Sequence, residues 1–461
     1  MLYSIVECNA FFIGKINELR CTGMQNETEL KRNVGFFPAL SVVMGTVIGA
    51  GVFFKASSVS AETGSTSLAM LAWFLGGVIT ICAGLTGAEL AAAIPETGGL
   101  TKYIEHIYGD FWGFLAGWAQ AFIYFPANIA AISVIFATQL VNLFHLQQSY
   151  IVAIAILAAV SILLINCLGA KAGGLLQSVT LVVKLIPIAV IVLFGLMQQG
   201  SVDFSLFPVV AGPHHNFLTA LGNGLLATLF AYDGWIHVGN IAGELKNPKR
   251  DLPGAISLGI GLVMIVYLLI NAIFLMTLPI NQISGNLNAA SDVSTILFGA
   301  IGGKLVTIGI LISCYGAVNG YIMTGMRIPY AMAVKKELPF NNFFMKLTKE
   351  GAPWASGVIE VVVASIMMML GAFDTITNML IFVIWTFYCM AFAGVIILRK
   401  REPDLYRPYK VPLYPVIPLI ALIGGSFILI NTLFTQTFLA AIGIVVTLLG
   451  IPVYYHTKQR K

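Results

Sequence analysis

A chain of 461 residues that is 58% hydrophobic and 10% charged, with a mean hydropathy of +0.90, is excluded from the soluble domains, whose charged fraction runs near about 25%. The formal net charge of +5 invites a nucleic-acid reading, but the basic residues sit in short segments between apolar runs, where they report membrane orientation instead. Apolar runs of about 20 residues specify membrane-spanning helices, and barrel strands are excluded because theirs alternate over about 10 residues.

Twelve such runs are expected, at 36–60, 67–93, 113–144, 150–169, 174–198, 217–243, 254–279, 303–331, 354–371, 375–398, 412–434 and 437–456. They predict an all-α integral membrane protein divided into a cytoplasmic segment 1–35, a core 36–398, a cytoplasmic loop 399–411 and a C-terminal pair of spans within 412–461. Residues 1–23 carry Glu7, Asn9 and Lys15 and make a poor signal peptide. Met24 opens a polar run, so the first 23 residues are expected to be an upstream extension outside the fold.

Span one contains "VMGTVIGAGVFFK", with Gly45, Gly49 and Gly51 inside seven residues. Each Gly costs a helix roughly 1 kcal/mol against Ala, and unpaired backbone groups are tolerated at membrane depth only where protein or a water-filled cavity covers them. A deliberate break is predicted. The competing reading is close helix packing, whose small-xxx-small spacing Gly45 and Gly49 satisfy. A phosphate cradle is excluded, since neither GxxxxGK[ST] nor GxGxxG fits.

Further along, Glu89 near the inner end of span two reads as structural. Lys184 lies about ten residues into span five, roughly 15 Å deep in a ~30 Å core, where an interior partner is required. Span six, "LFAYDGWIHVGNIAGE", places Asp233 and Gly234 mid-span beside Tyr232 and Trp235, a second predicted break. His237, just past it, reads as a packed residue, and Asn319 in span eight as a packing position first and a pocket residue second. The segment "RKREPDLYRPYK" reads as a solvated loop. The six cysteines have no metal or redox spacing and read as small apolar residues.

With a cytoplasmic N-terminus, 22 of the 25 Lys and Arg fall on one side of the membrane, leaving Lys55, Lys184 and Lys304. Both termini are then cytoplasmic, and spans one and six run in opposite directions. Two broken helices five spans apart point to a five-plus-five inverted repeat with its site at the bilayer midplane. A broken helix offers orphan N–H groups on one side and orphan C=O groups on the other, which suits a zwitterion. A carboxylate is expected on the N–H groups of Gly49, Ala50 and Gly51, and an ammonium on the carbonyls of Val47, Phe230 and Asp233.

The stretches "GTVIGAGVFFK", "IPETGGLTKYIEHIYGDFWGFLAGW", "LFAYDGW", "GELKNPKRDLPGAI" and "YRPYKVPLYPVIP" resemble those of the amino acid–polyamine–organocation transporters. More narrowly they are similar to the L-amino acid transporter branch and its bacterial serine/threonine exchangers. The similarity runs from about Lys31 to the C-terminus. It implies the twelve-span fold with broken helices one and six, and sodium-independent obligatory exchange of small neutral amino acids across the plasma membrane. It further implies that Phe230 gates the pocket from outside, that Tyr267 faces the substrate, and that the Lys184 ammonium takes the place of a sodium ion by bonding a carbonyl near Gly49. The alternative for Lys184 is a purely structural lysine tied to backbone carbonyls. One departure stands out: the branch usually has Gly-Ser-Gly where this chain has Gly49-Ala50-Gly51.

Eukaryotic members of the branch pair with a single-span glycoprotein through a cysteine in the loop after span three. The corresponding "FHLQQSY" has none, so no disulfide-linked heavy chain is expected. No cofactor, metal or nucleic acid is expected either; the partners are small neutral amino acids and the bilayer. The rival readings are proton-coupled uptake through His237 or Glu89 and a transporter-like amino acid sensor. An enzyme is excluded by the lack of HExxH or clustered Asp pairs in the spans.

Overall fold

The computed structural model describes residues 35–49, 51–94, 98–197, 202, 204–236, 246–371 and 373–459. They fold into helices and connecting turns, with no strand among the described residues. Two short helices, α1 (Phe36–Val47) and α2 (Gly51–Thr63), stand where a single 36–60 span would run. Helix α3 (Thr66–Ala93) starts at Ser65, whose side chain accepts from Leu68 N and so satisfies one orphan donor. A short amphipathic helix α4 (Leu100–Tyr108) leads through Gly109 into α5 (Asp110–Leu143). A π-helical stretch, Gln120–Tyr124, interrupts α5 ahead of Pro126.

Next come α6 (Ile151–Cys167) and α7 (Ala170–Met197). Helix α8 (Phe217–Ala231) is capped at its start by Asn216 and gives way to a turn after Ala231. Helix α9 (Pro248–Thr277) follows, then α10 (Ala289–Gly325), which Gly299 interrupts at φ +73°. The remainder is α11 (Arg327–Val334), α12 (Trp354–Leu370), α13 (Phe373–Arg401), α14 (Val416–Thr435) and α15 (Thr437–Leu448, continuing over Gly450–Lys458). Among the described residues nine helices are long and apolar enough to cross a membrane, while α8 and α12 are apolar but shorter.

The bundle is arranged around the interrupted helices. Helix α9 packs on α1 and α3, α8 on α2 and α3, and α10 on α5 and α7. Helix α12 lies on α5 and α6, and α13 on α5 and α14. Small residues allow the close approaches: side chains added at Gly76, Gly77 and Gly84 of α3 would strike Thr228, Met264 and Ile256, as expected where helices associate through van der Waals fit in lipid. Leu164, Leu175, Val182, Leu193, Phe434 and Phe438 are instead largely exposed on α6, α7, α14 and α15. An apolar rim of this kind is what hydrocarbon requires of a spanning bundle.

The expected solvated segment 399–411 is exposed at Lys400, Arg401, Pro403, Asp404, Tyr406 and Lys410, but not throughout. Arg407 is buried there and donates to the carbonyls of Leu398, Glu402, Pro403 and Leu405, and Val411 N donates to Glu89 Oε2 at 2.7 Å. A guanidinium has five donors, and here four backbone carbonyls accept from it, holding the segment against the end of α13. Cys82, Cys314 and Cys389 are buried and Cys167 partly so, all as free thiols.

Candidate functional site

Helix α1 ends because Ile48 turns into an extended conformation, φ −70° and ψ 94°, and helical structure resumes only at Gly51. The carbonyls left over at the end of α1 are taken up by side chains from other helices. Lys184 of α7 donates to Gly45 O, and the Tyr267 hydroxyl of α9 lies 2.9 Å from Val47 O. Lys184 is buried, 3% exposed. Its ammonium therefore stands at the negative end of a helix, where a cation is favoured.

Helix α8 stops in the same neighbourhood. Its final carbonyls bond to the turn that follows: Tyr232 N donates to Thr228 O and Asp233 N to Phe230 O. Ala231 O lies 3.1 Å from the Tyr267 hydroxyl. One side chain thus bridges the carbonyl ends of α1 and α8. The chain leaves α8 through Gly234 at φ +111°, a backbone angle that a side chain strongly disfavours. A Cβ there would also come within 2.8 Å of Thr46 O, and the Thr46 hydroxyl lies 3.1 Å from Gly234 O. The two breaks are in direct backbone contact.

The expected site residues occupy distinct positions around this junction. Gly51 is buried against α8, where an added Cβ would meet Ala231 Cα at 2.6 Å. At Gly49 an added Cβ would make only ordinary contacts, 3.9 Å from Val47 O and 4.0 Å from Ala317 Cβ of α10. Of the three carbonyls expected to receive an ammonium, those of Val47 and Phe230 have a donor in this conformation. Tyr267 is fully buried and packs its ring on Trp73 and Tyr232, at centroid distances of 5.7 and 5.1 Å. Ala50 and His237 lie outside the described residues. Asn319 bonds to Asn166, Gly173 O and Gln177 between α6, α7 and α10.

Three features escaped the sequence reading. The Asp233 side chain, expected to matter only through its carbonyl, is buried and accepts from Tyr124 of α5 at 2.5 Å, with the Tyr388 hydroxyl of α13 at 3.5 Å. Lys55, in the fifth position of α2, is fully buried and pairs with Asp374 of α13 at 2.7 Å, with Thr377 at 2.6 Å. Its ammonium also lies over the rings of Phe230 and Phe373, 5.4 and 4.7 Å from their centroids. Glu360 is the third, buried within α12. Lys55 and Glu360 carried a usable signal, because an ionisable residue inside an apolar span is a functional candidate by default. The Asp233 contacts had none, since Tyr124 and Tyr388 are more than 100 residues away in sequence.

Glu89 is spoken for. Arg399 grips it through two bonds of 2.8 and 2.6 Å, Arg407 approaches to 3.6 Å, and Arg399 in turn stacks on Tyr414. A bidentate guanidinium pair of this kind is a strong charge-assisted contact, which favours a structural role.

Residues 34–454 match the amino acid permease family. The chain is 42% identical to a serine/threonine exchanger of Bacillus subtilis (strain 168), over 94% of this chain and 98% of the relative. It is 29% identical to the human cystine/glutamate transporter, covering 94% and 86% of the two chains. Its identity to the mouse large neutral amino acids transporter small subunit 2 is 30%, covering 92% and 81%.

Proposed function

This chain belongs to the amino acid permease family and is a multi-pass membrane transporter of amino acids rather than an enzyme; from that premise we propose that it exchanges small neutral L-amino acids such as serine and threonine, without sodium, by alternating access. The proposed frame is twelve spans, with spans one to five and six to ten as inverted repeats, in the plasma membrane with both termini cytoplasmic. The observation that carries the reading is the meeting of the end of α1, where its span is broken, with the end of α8, their carbonyls bonded to Lys184 and Tyr267. The choice of serine and threonine rests on the 42% identity to a serine/threonine exchanger.

In this reading the substrate carboxylate sits on the N–H groups of Gly49, Ala50 and Gly51, at the start of α2. Its ammonium shares the carbonyls of Val47, Phe230 and Asp233, displacing the Tyr267 hydroxyl from Val47 O. Lys184 supplies at Gly45 O the positive charge for which an ion-coupled carrier would need sodium. Phe230, one residue before the end of α8 and beneath the Lys55 ammonium, closes the site from outside.

Counterflow in proteoliposomes tests the proposal. Labelled threonine should enter only vesicles preloaded with amino acid, at a rate unchanged when choline replaces sodium, and unlabelled small neutral amino acids should compete best among the twenty. Accumulation in empty vesicles driven by an imposed pH gradient, or a strict sodium requirement, would overturn it.

A further inference from the structure

Glu360 occupies the seventh position of α12, is 1% exposed, and has no hydrogen-bond partner at either Oε1 or Oε2 among the described residues. The other carboxylates of the bundle interior are served differently. Glu89 holds two arginines, Asp233 two tyrosines, and Asp374 a lysine and a serine of α2. The Glu360 carboxyl lies against the last residue of α10: a Cβ added at Gly325 would fall 1.8 Å from Oε1 and 2.8 Å from the Phe125 ring of α5. Glycine at 325 leaves the space that the carboxyl fills.

Among the described residues, no charged side chain pairs with this group from the helices around it. On α5, Tyr124 is directed to Asp233; on α10, the Tyr321 ring packs against Tyr124 and Phe125. On α11, Arg327 is exposed and donates to Met323 O, Tyr330 is half-buried, and Lys335 just beyond pairs with Glu105. Helix α6 contributes only Cys167, at its far end, and the turn 341–344 contributes no ionisable residue. An ionised carboxylate in a dry site without a partner is strongly disfavoured, and such a group neutralises instead. The neighbouring α5 is π-helical over Gln120–Tyr124, immediately before Phe125, and such single-turn irregularities recur at functional sites.

We propose that Glu360 is a proton-binding site that gates the transport cycle. It carries its proton in the packed arrangement of α5, α10 and α12. When these helices part, the acid gives the proton to water, leaving a hydrated carboxylate that holds the interface open. Binding and release use water at the end of the bundle where α12 begins, so the proton sets the rate of the cycle without crossing the membrane. A conformational equilibrium linked to one proton shifts about tenfold per pH unit between the proton affinities of its two states. The inference rests on the alternating-access reading for its transport consequence, but the proton itself can be observed without transport.

The test is pH-difference infrared spectroscopy of the full chain in liposomes, followed by exchange measured across pH. At neutral pH the wild type should show a protonated-carboxyl carbonyl band that shifts when glutamate is isotope-labelled and disappears in E360Q. Exchange by the wild type should change several-fold between acid and alkaline medium, and E360Q should remain active with a flattened profile. Absence of a glutamate acid band at neutral pH, its persistence in E360Q, or an unchanged pH profile in that variant would overturn the proposal. If E360Q is not recovered folded, E360M repeats both measurements, and the labelled wild type needs no variant. Failure of counterflow would sink the exchange reading while leaving the infrared band in place.

Discussion

Lys184 and Tyr267 do for the end of α1 what water or a capping residue does for a helix end in a soluble protein. Helix termini leave carbonyls without intrahelical partners, and at membrane depth the replacement donors must come from protein. Lys184 serves Gly45 O and Tyr267 serves Val47 O, so the two differ in consequence: the hydroxyl is a neutral donor that a substrate ammonium can displace, and the lysine is a fixed charge. Lys184→Ala should leave Gly45 O unpaired, at a cost of ~1–3 kcal/mol, and lower exchange by about one to two decades. Lys184→Arg should not restore it, because a planar five-donor fork does not fit where a compact ammonium sits. Exchange normalised to monodisperse purified protein is the readout. Wild-type specific activity in the alanine variant, with lowered thermal stability alone, would make Lys184 a structural residue only.

Between elements, the contact that positions the site is backbone against backbone. Gly51 opens α2 against Ala231 at the end of α8, and Gly234 meets Thr46 at the end of α1. The competing packing-seam reading rested on Gly45 and Gly49, but the tight approach is made by Gly51 against Ala231, while a Cβ at Gly49 would meet only ordinary contacts with Val47 O and Ala317. Both uses coexist in one stretch because a break needs its flanking half-helices held close. Gly51→Ala should force α2 and α8 apart, with an overpacking cost of ~1–3 kcal/mol, and Ala231→Gly in the same chain should recover part of the loss. Thermal unfolding of the two single variants and the double variant measures this directly. Additive effects would show that the two residues do not share a contact.

Across the whole molecule, the ends of the bundle are closed by different chemistry. One end has the buried Lys55 ammonium bonded to Asp374 and Thr377 and lying over Phe230 and Phe373. The other has Glu89 clamped by Arg399 and Arg407 beside the 399–411 segment. In the proposed orientation the Lys55 cluster is the outer closure, and it ties α2 to α13. Lys55→Met, which keeps the stem but removes the charge, should favour the outward-open arrangement and change the apparent external substrate affinity. Asp374→Asn in the same chain should relieve the uncompensated carboxylate, giving a coupling of ~0.5–3 kcal/mol in a double-mutant cycle on affinity. Independent effects would leave the pair as a local fastening without a part in closure.

The sequence by itself determined where helices form and where two of them fail. Apolar runs against a hydrocarbon solvent leave the backbone little choice but helix, and glycine clusters at 45–51 and the Asp233-Gly234 pair are local signals of interruption. The depth of Lys184 in its run was equally legible, since 1.5 Å per residue converts position to depth. What the tertiary structure alone decided was which donor meets which acceptor. Tyr267 reaches Val47 O across 220 residues of chain, Lys55 reaches Asp374 across 319, and Asp233 reaches Tyr124 across 109. Arg407, within a partly exposed segment, is buried and bonded to the carbonyls of Leu398 and Glu402. Periodicity fixes what a residue's own helix does, but the partner of a buried polar group depends on how separate helices are rotated and docked, and that is set by the packing of the whole bundle.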